Sequence, residues 1–161
     1  MNEITIERAR LNDVEAMKKI LDDYAASGDL LARSRLSLYE CIRDFFVARR
    51  AGVLVGLGAL HVCWTDLGEV RSLAVQRELQ GGGVGRALVE SCLADAAALG
   101  LRQVFSLTYR PGFFRKLGFH EVDKAQLPHK VWQDCVNCSK FPDCDEVAML
   151  HEVTGEPAEV R

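Results

Sequence analysis

The stretch Val70–Arg86, VRSLAVQRELQGGGVGR, decides how this chain is read. A strand covering Glu69 to Val75 runs into a loop, Gln76 to Gly85, that carries Gly81, Gly82, Gly83 and Gly85. A helix follows over Val84 to Leu99, with Leu88, Cys92, Ala96 and Leu99 on one face and Gly100 as its stop. Glycines allow the backbone to approach a bulky anion. The helix start adds unpaired N–H groups and the positive end of a dipole. Strand, glycine loop and helix in this order therefore predict a phosphate cradle rather than a merely flexible turn. A Walker loop requires Gly-Lys-Ser/Thr, whereas Gly85 is followed by Arg86-Ala87. A dinucleotide fingerprint starting at Gly81 would need its third glycine at Arg86. It would also need an acidic residue after the next strand, which ends Leu107-Thr108-Tyr109.

Working outward, Ile4 to Arg8 alternates as a short strand, and Asn12 with Glu15 forms a capping-box pattern ahead of a helix reaching about Ser27. Ser37 and Glu40 predict a second cap and a short helix over Leu38 to Arg43. Phe45 to Arg49 and Val53 to Trp64 flank the turn Ala51-Gly52 as a hairpin. Beyond the glycine loop come a strand at Gln103 to Leu107 and a helix at Pro111 to Leu117. Strands at Phe119 to Val122 and Glu146 to His151 complete the set. This order predicts an α/β domain with a mixed sheet, spanning residues 1–154, and a frayed tail at 155–161.

The chain has 161 residues, 48% of them hydrophobic and 27% charged, with a net charge of −3. That balance offers no electrostatic footprint for nucleic acid or an anionic membrane. No apolar run is long enough to span a bilayer, and the N-terminal MNEITIERAR lacks the apolar stretch of a secretory signal, so the expected compartment is the cytoplasm.

Gln80-Gly81-Gly82-Gly83-Val84-Gly85 resembles the Gln/Arg-x-x-Gly-x-Gly/Ala loop of the GNAT N-acetyltransferases. Phe113-Phe114-Arg115-Lys116-Leu117-Gly118-Phe119 resembles that family's aromatic-x-x-x-Gly-Phe segment. The resemblance covers residues 1–151 and implies a splayed mixed sheet flanked by helices, binding acetyl-CoA. It places the CoA diphosphate on Gln80, Gly81, Gly82, Gly83, Val84, Gly85 and Arg86, with Phe113 and Phe114 also on the cofactor side. The pantetheine arm then lies along Leu73, Ala74 and Val75, and an N–H near Leu73 stabilises the oxyanion.

The chemistry demands a base, because an amine is protonated at neutral pH and must lose a proton before it attacks. Glu69 is the candidate, grouped by strand alternation with Arg71, Leu73 and Val75. Glu69–Val75 is similar to the corresponding strand of N-acetylglutamate synthases. The departing thiolate needs less help. Many family members carry a tyrosine where this chain has Phe114, so Thr108 or Tyr109 is the candidate donor, or else simply packs a strand end.

Gly28-Asp29-Leu30-Leu31-Ala32-Arg33-Ser34 resembles the substrate turn of N-acetylglutamate synthases, which implies that Arg33 clamps a glutamate carboxylate. Arg71 is a further substrate candidate. Leu127-Pro128-His129-Lys130 and Ser139-Lys140 resemble the same family's C-terminal segment and nominate Lys130, Ser139 and Lys140. The arginine often found before that serine is replaced here by Asn137 or Cys138. The resemblance is to the short form, a lone transferase domain that commits glutamate to arginine biosynthesis. Family members often form homodimers.

Cys41, Cys63 and Cys92 lie in apolar segments and read as small buried hydrophobes. Cys135, Cys138 and Cys144 begin like a zinc knuckle, with His129 or His151 as a fourth ligand. A reduced thiol cluster packing the C-terminal loop is the favoured alternative, since only one CxxC is present. Three other functions remain open on sequence grounds. These are transfer to a different amine, a CoA-binding sensor without turnover, and a small metal-binding interaction module.

Overall fold

The computed structural model describes residues 3–127 and 145–153. Its strands are β1 (Ile4–Arg8), β2 (Phe45–Arg50), β3 (Val53–Val62), β4 (Leu67–Val75), β5 (Gln103–Thr108), β6 (His120–Val122) and β7 (Val147–Glu152). The helices are α1 (Val14–Ala26), α2 (Arg35–Glu40), α3 (Val84–Leu99) and α4 (Pro111–Arg115). They form the mixed α/β domain expected from the order of elements, with a seven-stranded sheet. Two compact units divide it: Met1–Leu60 with Val70–Asp95, and His61–Glu69 with Ala96–Arg161.

In the first unit the strand order is β1-β2-β3-β4. The β2–β3 hairpin turns through Ala51 at φ 51° and Gly52 at φ 78°, the two positive values that a two-residue primed turn requires. Both faces of this hairpin are covered, which is why β3 reads as an almost unbroken apolar run. Phe45, Val47 and Leu57 pack with Val14, Met17, Leu21 and Tyr24 of α1 and with Leu38 of α2. Ala48 and Val55 pack instead with Val75 and with Val84 and Leu88 of α3.

The second unit has the order β4-β5-β7-β6. Here β4 joins β5 in parallel through Leu67↔Gln103, Gly68↔Val104 and Glu69↔Phe105. β5 and β6 each pair antiparallel with β7. Cys63, Leu67, Phe105, Leu127 and Ala148 form its core.

Two helix starts differ from expectation. The Asn12–Glu15 box is not the cap of α1. A 3-10 turn, Leu11–Asp13, precedes the helix, and the Asp13 carboxylate accepts a hydrogen bond from the Arg10 backbone N–H at 2.8 Å. The second cap is Ser34 rather than Ser37. Ser34 has the extended backbone of an N-cap and accepts from the Ser37 N–H at 3.1 Å, so α2 begins three residues earlier than the Ser37 cap predicts.

Asp13 is diverted because it has a stronger partner. It is 6% exposed, and Arg49 Nη2 lies 2.8 Å from both of its carboxylate oxygens. Hydrogen bonds from Arg49 to Glu7 and to Asp13 hold the guanidinium pKa above its usual value. Removing one member of such a pair strands the other charge. Asp13→Ala is expected to cost about 2–4 kcal/mol of unfolding free energy, read by urea denaturation. A loss below about 0.5 kcal/mol would mean that Glu7 alone satisfies Arg49.

Candidate functional site

The glycine loop takes the shape its composition predicts. A 3-10 turn, Arg77–Leu79, leads from β4 into Gln80, and Gly81 and Gly83 adopt φ values of 82° and 89°. A Cβ at either position would meet nothing within 4 Å, so their requirement is conformational rather than steric. The Gly83 carbonyl accepts the first bond of α3, from the Ala87 N–H at 3.0 Å. Gly83 is therefore the N-cap, and it brings no side-chain oxygen to the amides of Val84, Gly85 and Arg86. First-turn amides have no acceptor inside a helix. A strand-to-helix bend with exposed glycines and no side-chain cap suits the oxygens of a diphosphate.

Residues outside the loop hold it in place, and sequence reading missed them. Tyr24, buried on α1, donates its hydroxyl to the Val75 carbonyl at 2.5 Å and accepts from Gln80 Nε2. The Arg77 guanidinium lies 4.4 Å from the centre of the same ring and binds Asp23 at 2.9 Å. One tyrosine thus ties the end of β4 to the start of the cradle, and the Gln80 side chain is turned toward it. Tyr24 stands three residues after Leu21, a helical spacing that by itself implies packing and not a polar tip at work. Gly56 is a second support. A Cβ there would come within 3.3 Å of the Ala74 carbonyl, Val84 Cγ1 and Leu88 Cδ1, so its absence admits the start of α3 close against β3.

The acceptor-side candidate in this unit is Arg33. Its Nε donates to Ser72 Oγ at 2.7 Å and its Nη1 to Ser37 Oγ at 3.4 Å. Its backbone carbonyl accepts from Lys18 Nζ at 3.0 Å. Ser72 has φ 55°, in the left-handed region. This corrects the sequence reading of β4. Simple alternation holds only for extended backbone, so grouping Glu69 and Arg71 with Leu73 and Val75 on one face breaks at Ser72. The first unit gathers Arg33, Arg71, Leu73, Ala74, Val75 and the Gln80–Arg86 loop.

The second unit holds Glu69, Thr108, Tyr109, Phe113 and Phe114. Glu69 is paired with Phe105 of β5. Thr108 is buried at the end of β5, and its hydroxyl accepts from the Arg110 N–H at 2.8 Å. Tyr109 is 38% exposed. Phe114 is buried in an edge-to-face series, with ring centres 5.1 Å from Phe113 and 5.1 Å from Phe119. Having no hydroxyl, it packs and cannot donate a proton.

Lys130, Ser139, Lys140, Cys135, Cys138, Cys144 and His129 lie outside the described residues. His151 meets Phe119 edge to face, with ring centres 5.0 Å apart. Among the described residues, no three His, Cys, Asp or Glu side chains are placed to hold a metal ion. Cys63 and Cys92 are buried and Cys41 is half-buried, in line with their apolar surroundings in sequence. Burial pushes the Cys92 thiol up to about 12, with Asp95 adding to the effect, so it is no nucleophile at neutral pH.

Residues 42–121 match the acetyltransferase (GNAT) domain. An uncharacterized N-acetyltransferase of Chlorobaculum tepidum is 43% identical over 90% of this chain and 94% of its own length. An amino-acid acetyltransferase of Mycobacterium tuberculosis is 40% identical over 80% of this chain and 75% of its own.

This chain belongs to the GNAT acetyltransferase family.

The fold agrees. A Mycobacterium tuberculosis crystal structure, solved in complex with CoA, superposes with a TM-score of 0.81 at 34% identity, covering 93% of this chain and 99% of that one. The GNAT protein described here is accordingly an acetyl-CoA-dependent N-acetyltransferase. No helix among its described residues is long and apolar enough to cross a membrane.

Proposed function

We propose that this GNAT enzyme acetylates the α-amine of L-glutamate, releasing CoA and N-acetyl-L-glutamate. The observation that carries the reading is Arg33, whose guanidinium is held on the hydroxyls of Ser72 in β4 and Ser37 in α2. A fixed guanidinium suits a carboxylate ligand, and glutamate brings two. Similarity to an amino-acid acetyltransferase at 40% identity supports an amino acid as acceptor. So does the likeness of residues 28–34 and 69–75 to N-acetylglutamate synthases.

In this reading Arg33, with Arg71, Lys130, Ser139 and Lys140, binds the carboxylates. Glu69 takes a proton from the ammonium through water. The neutral amine attacks the thioester whose diphosphate is gripped by the Gln80–Arg86 amides. The C–N bond forms and the C–S bond breaks; the proton that nitrogen sheds passes to the departing sulfur, which leaves as the CoA thiol, and Thr108 or Tyr109 donates that sulfur a hydrogen bond. The product would feed arginine biosynthesis in the cytoplasm.

The test is a screen of the proteinogenic amino acids and several polyamines for release of free thiol from acetyl-CoA. Glutamate is expected to give the highest kcat/KM, by about tenfold or more over aspartate and glutamine. The basis is that an unmatched or missing carboxylate leaves polar groups unpaired in the site. A different best acceptor would overturn the glutamate assignment. Absence of thiol release with every amine would point to a CoA-binding sensor.

A further inference from the structure

Ser72 is in a conformation that serine does not favour. Its φ of 55° lies in the left-handed region, within a strand that is otherwise extended. The Cβ of an L-residue strains the backbone there, and glycine, having none, escapes that strain. Chain geometry alone would therefore choose glycine at this position. What serine adds is a hydroxyl, and that hydroxyl accepts a 2.7 Å bond from Arg33 Nε. The left-handed turn sits in β4 between Arg71 and Leu73, next to the segment assigned to the pantetheine arm.

A guanidinium is a rigid planar fork with its donors in fixed directions. Holding Nε on Ser72 and Nη1 on Ser37 fixes the plane of that fork before any ligand arrives. Lys18 holds the Arg33 backbone through its carbonyl, so the main chain of the turn is pinned as well. An arginine left loose would lose several rotamers on binding a carboxylate, and one already oriented loses few. We propose that Ser72 is a positioning residue. Its strained backbone aims a hydroxyl that pre-sets the Arg33 guanidinium for a carboxylate of the amino-acid acceptor. The proposal rests on the clamp role given to Arg33 above and adds a residue that acts through it.

Strain and positioning predict opposite signs for one substitution, which makes the idea testable. Ser72→Gly relieves the backbone and removes the hydroxyl. The urea midpoint should move to higher concentration, while KM for L-glutamate rises about tenfold, roughly the worth of one hydrogen bond to a charged group. KM for acetyl-CoA should stay within about twofold. Ser72→Asn keeps an oxygen acceptor and tolerates the left-handed region, so it should recover most of the glutamate KM. Arg33→Ala should raise glutamate KM by about 100-fold, and adding Ser72→Gly to it should change KM little further. If Arg33→Ala raises KM but Ser72→Gly does not, the positioning role is overturned and the clamp survives. If Arg33→Ala leaves KM unchanged, the clamp reading falls, and the positioning role with it. An equal further rise when the two changes are combined would show that Ser72 acts independently of Arg33, which also overturns the proposal.

Discussion

Glu69→Gln is expected to lower kcat for acetyl transfer by roughly two to four orders of magnitude, the usual contribution of a positioned base. The substitution keeps the size of the side chain and removes its capacity to take a proton. Glu69 stands in β4 in parallel register with Phe105 of β5, and that pairing is made by backbone groups. The fold should therefore survive the change, and circular dichroism and the urea midpoint should stay close to those of the unaltered enzyme. A second signature separates loss of a base from loss of binding. Raising the pH supplies more neutral amine from solution, so the variant should recover part of its rate as pH rises, with little change in KM for glutamate. A kcat within threefold of the unaltered enzyme at saturating substrates would remove Glu69 from proton transfer.

Much of the architecture is legible in the sequence because it rests on local signals. Periodicity places α1 and α3, turn chemistry places the β2–β3 hairpin, and Gly28 and Gly100 end their helices with φ values of 79° and 86°. In each case the signal and its effect lie within a few residues. Where two partners compete for one group, the local signal does not decide the outcome. Asn12 and Glu15 satisfy a capping pattern, but Asp13 has a guanidinium from β2 to bind, and the helix start is organised around that pair. Ser34 and Ser37 both suit a cap, and the extended backbone at Ser34 decides between them.

The site divides in the same way. The glycine loop is readable because glycines, strand and helix are contiguous. The supports of that loop are not, because Tyr24 is separated in sequence from Val75 and Gln80 and meets them only through packing of α1. Ser72 is harder still. Nothing in the string Arg71-Ser72-Leu73 signals positive φ, since the residue that announces it is normally glycine. A single left-handed residue is enough to break an alternation argument that would be sound on a regular strand. Arg33 was nominated by resemblance, and its hydroxyl partners came from the structure alone.

The second large effect concerns the cradle. Gly83 caps α3 with a carbonyl and no side chain, leaving the first-turn amides for an external anion. Gly83→Asp should fill that role from within. Aspartate is among the residues least penalised at positive φ, and at an N-cap its carboxylate accepts from the second or third amide of the helix. The helix is thus satisfied, but a fixed negative charge now occupies the place proposed for the CoA diphosphate. Two unit charges about 5 Å apart repel by roughly 1–3 kcal/mol at effective dielectric constants of about 80 to 20, and a diphosphate carries more than one. KM for acetyl-CoA is expected to rise by about 100- to 1,000-fold. Turnover at saturating acetyl-CoA should fall by less than about threefold, because the thioester reacts at the far end of the molecule. The defect should shrink as salt is added, since exposed charges are screened. Gly83→Ala separates the causes, because it imposes the backbone strain at φ 89° without the charge and should show no such salt dependence. If Gly83→Asp bound CoA as tightly as the unaltered enzyme, the diphosphate could not lie on these amides. The link between this loop and acetyl transfer would then have to be abandoned.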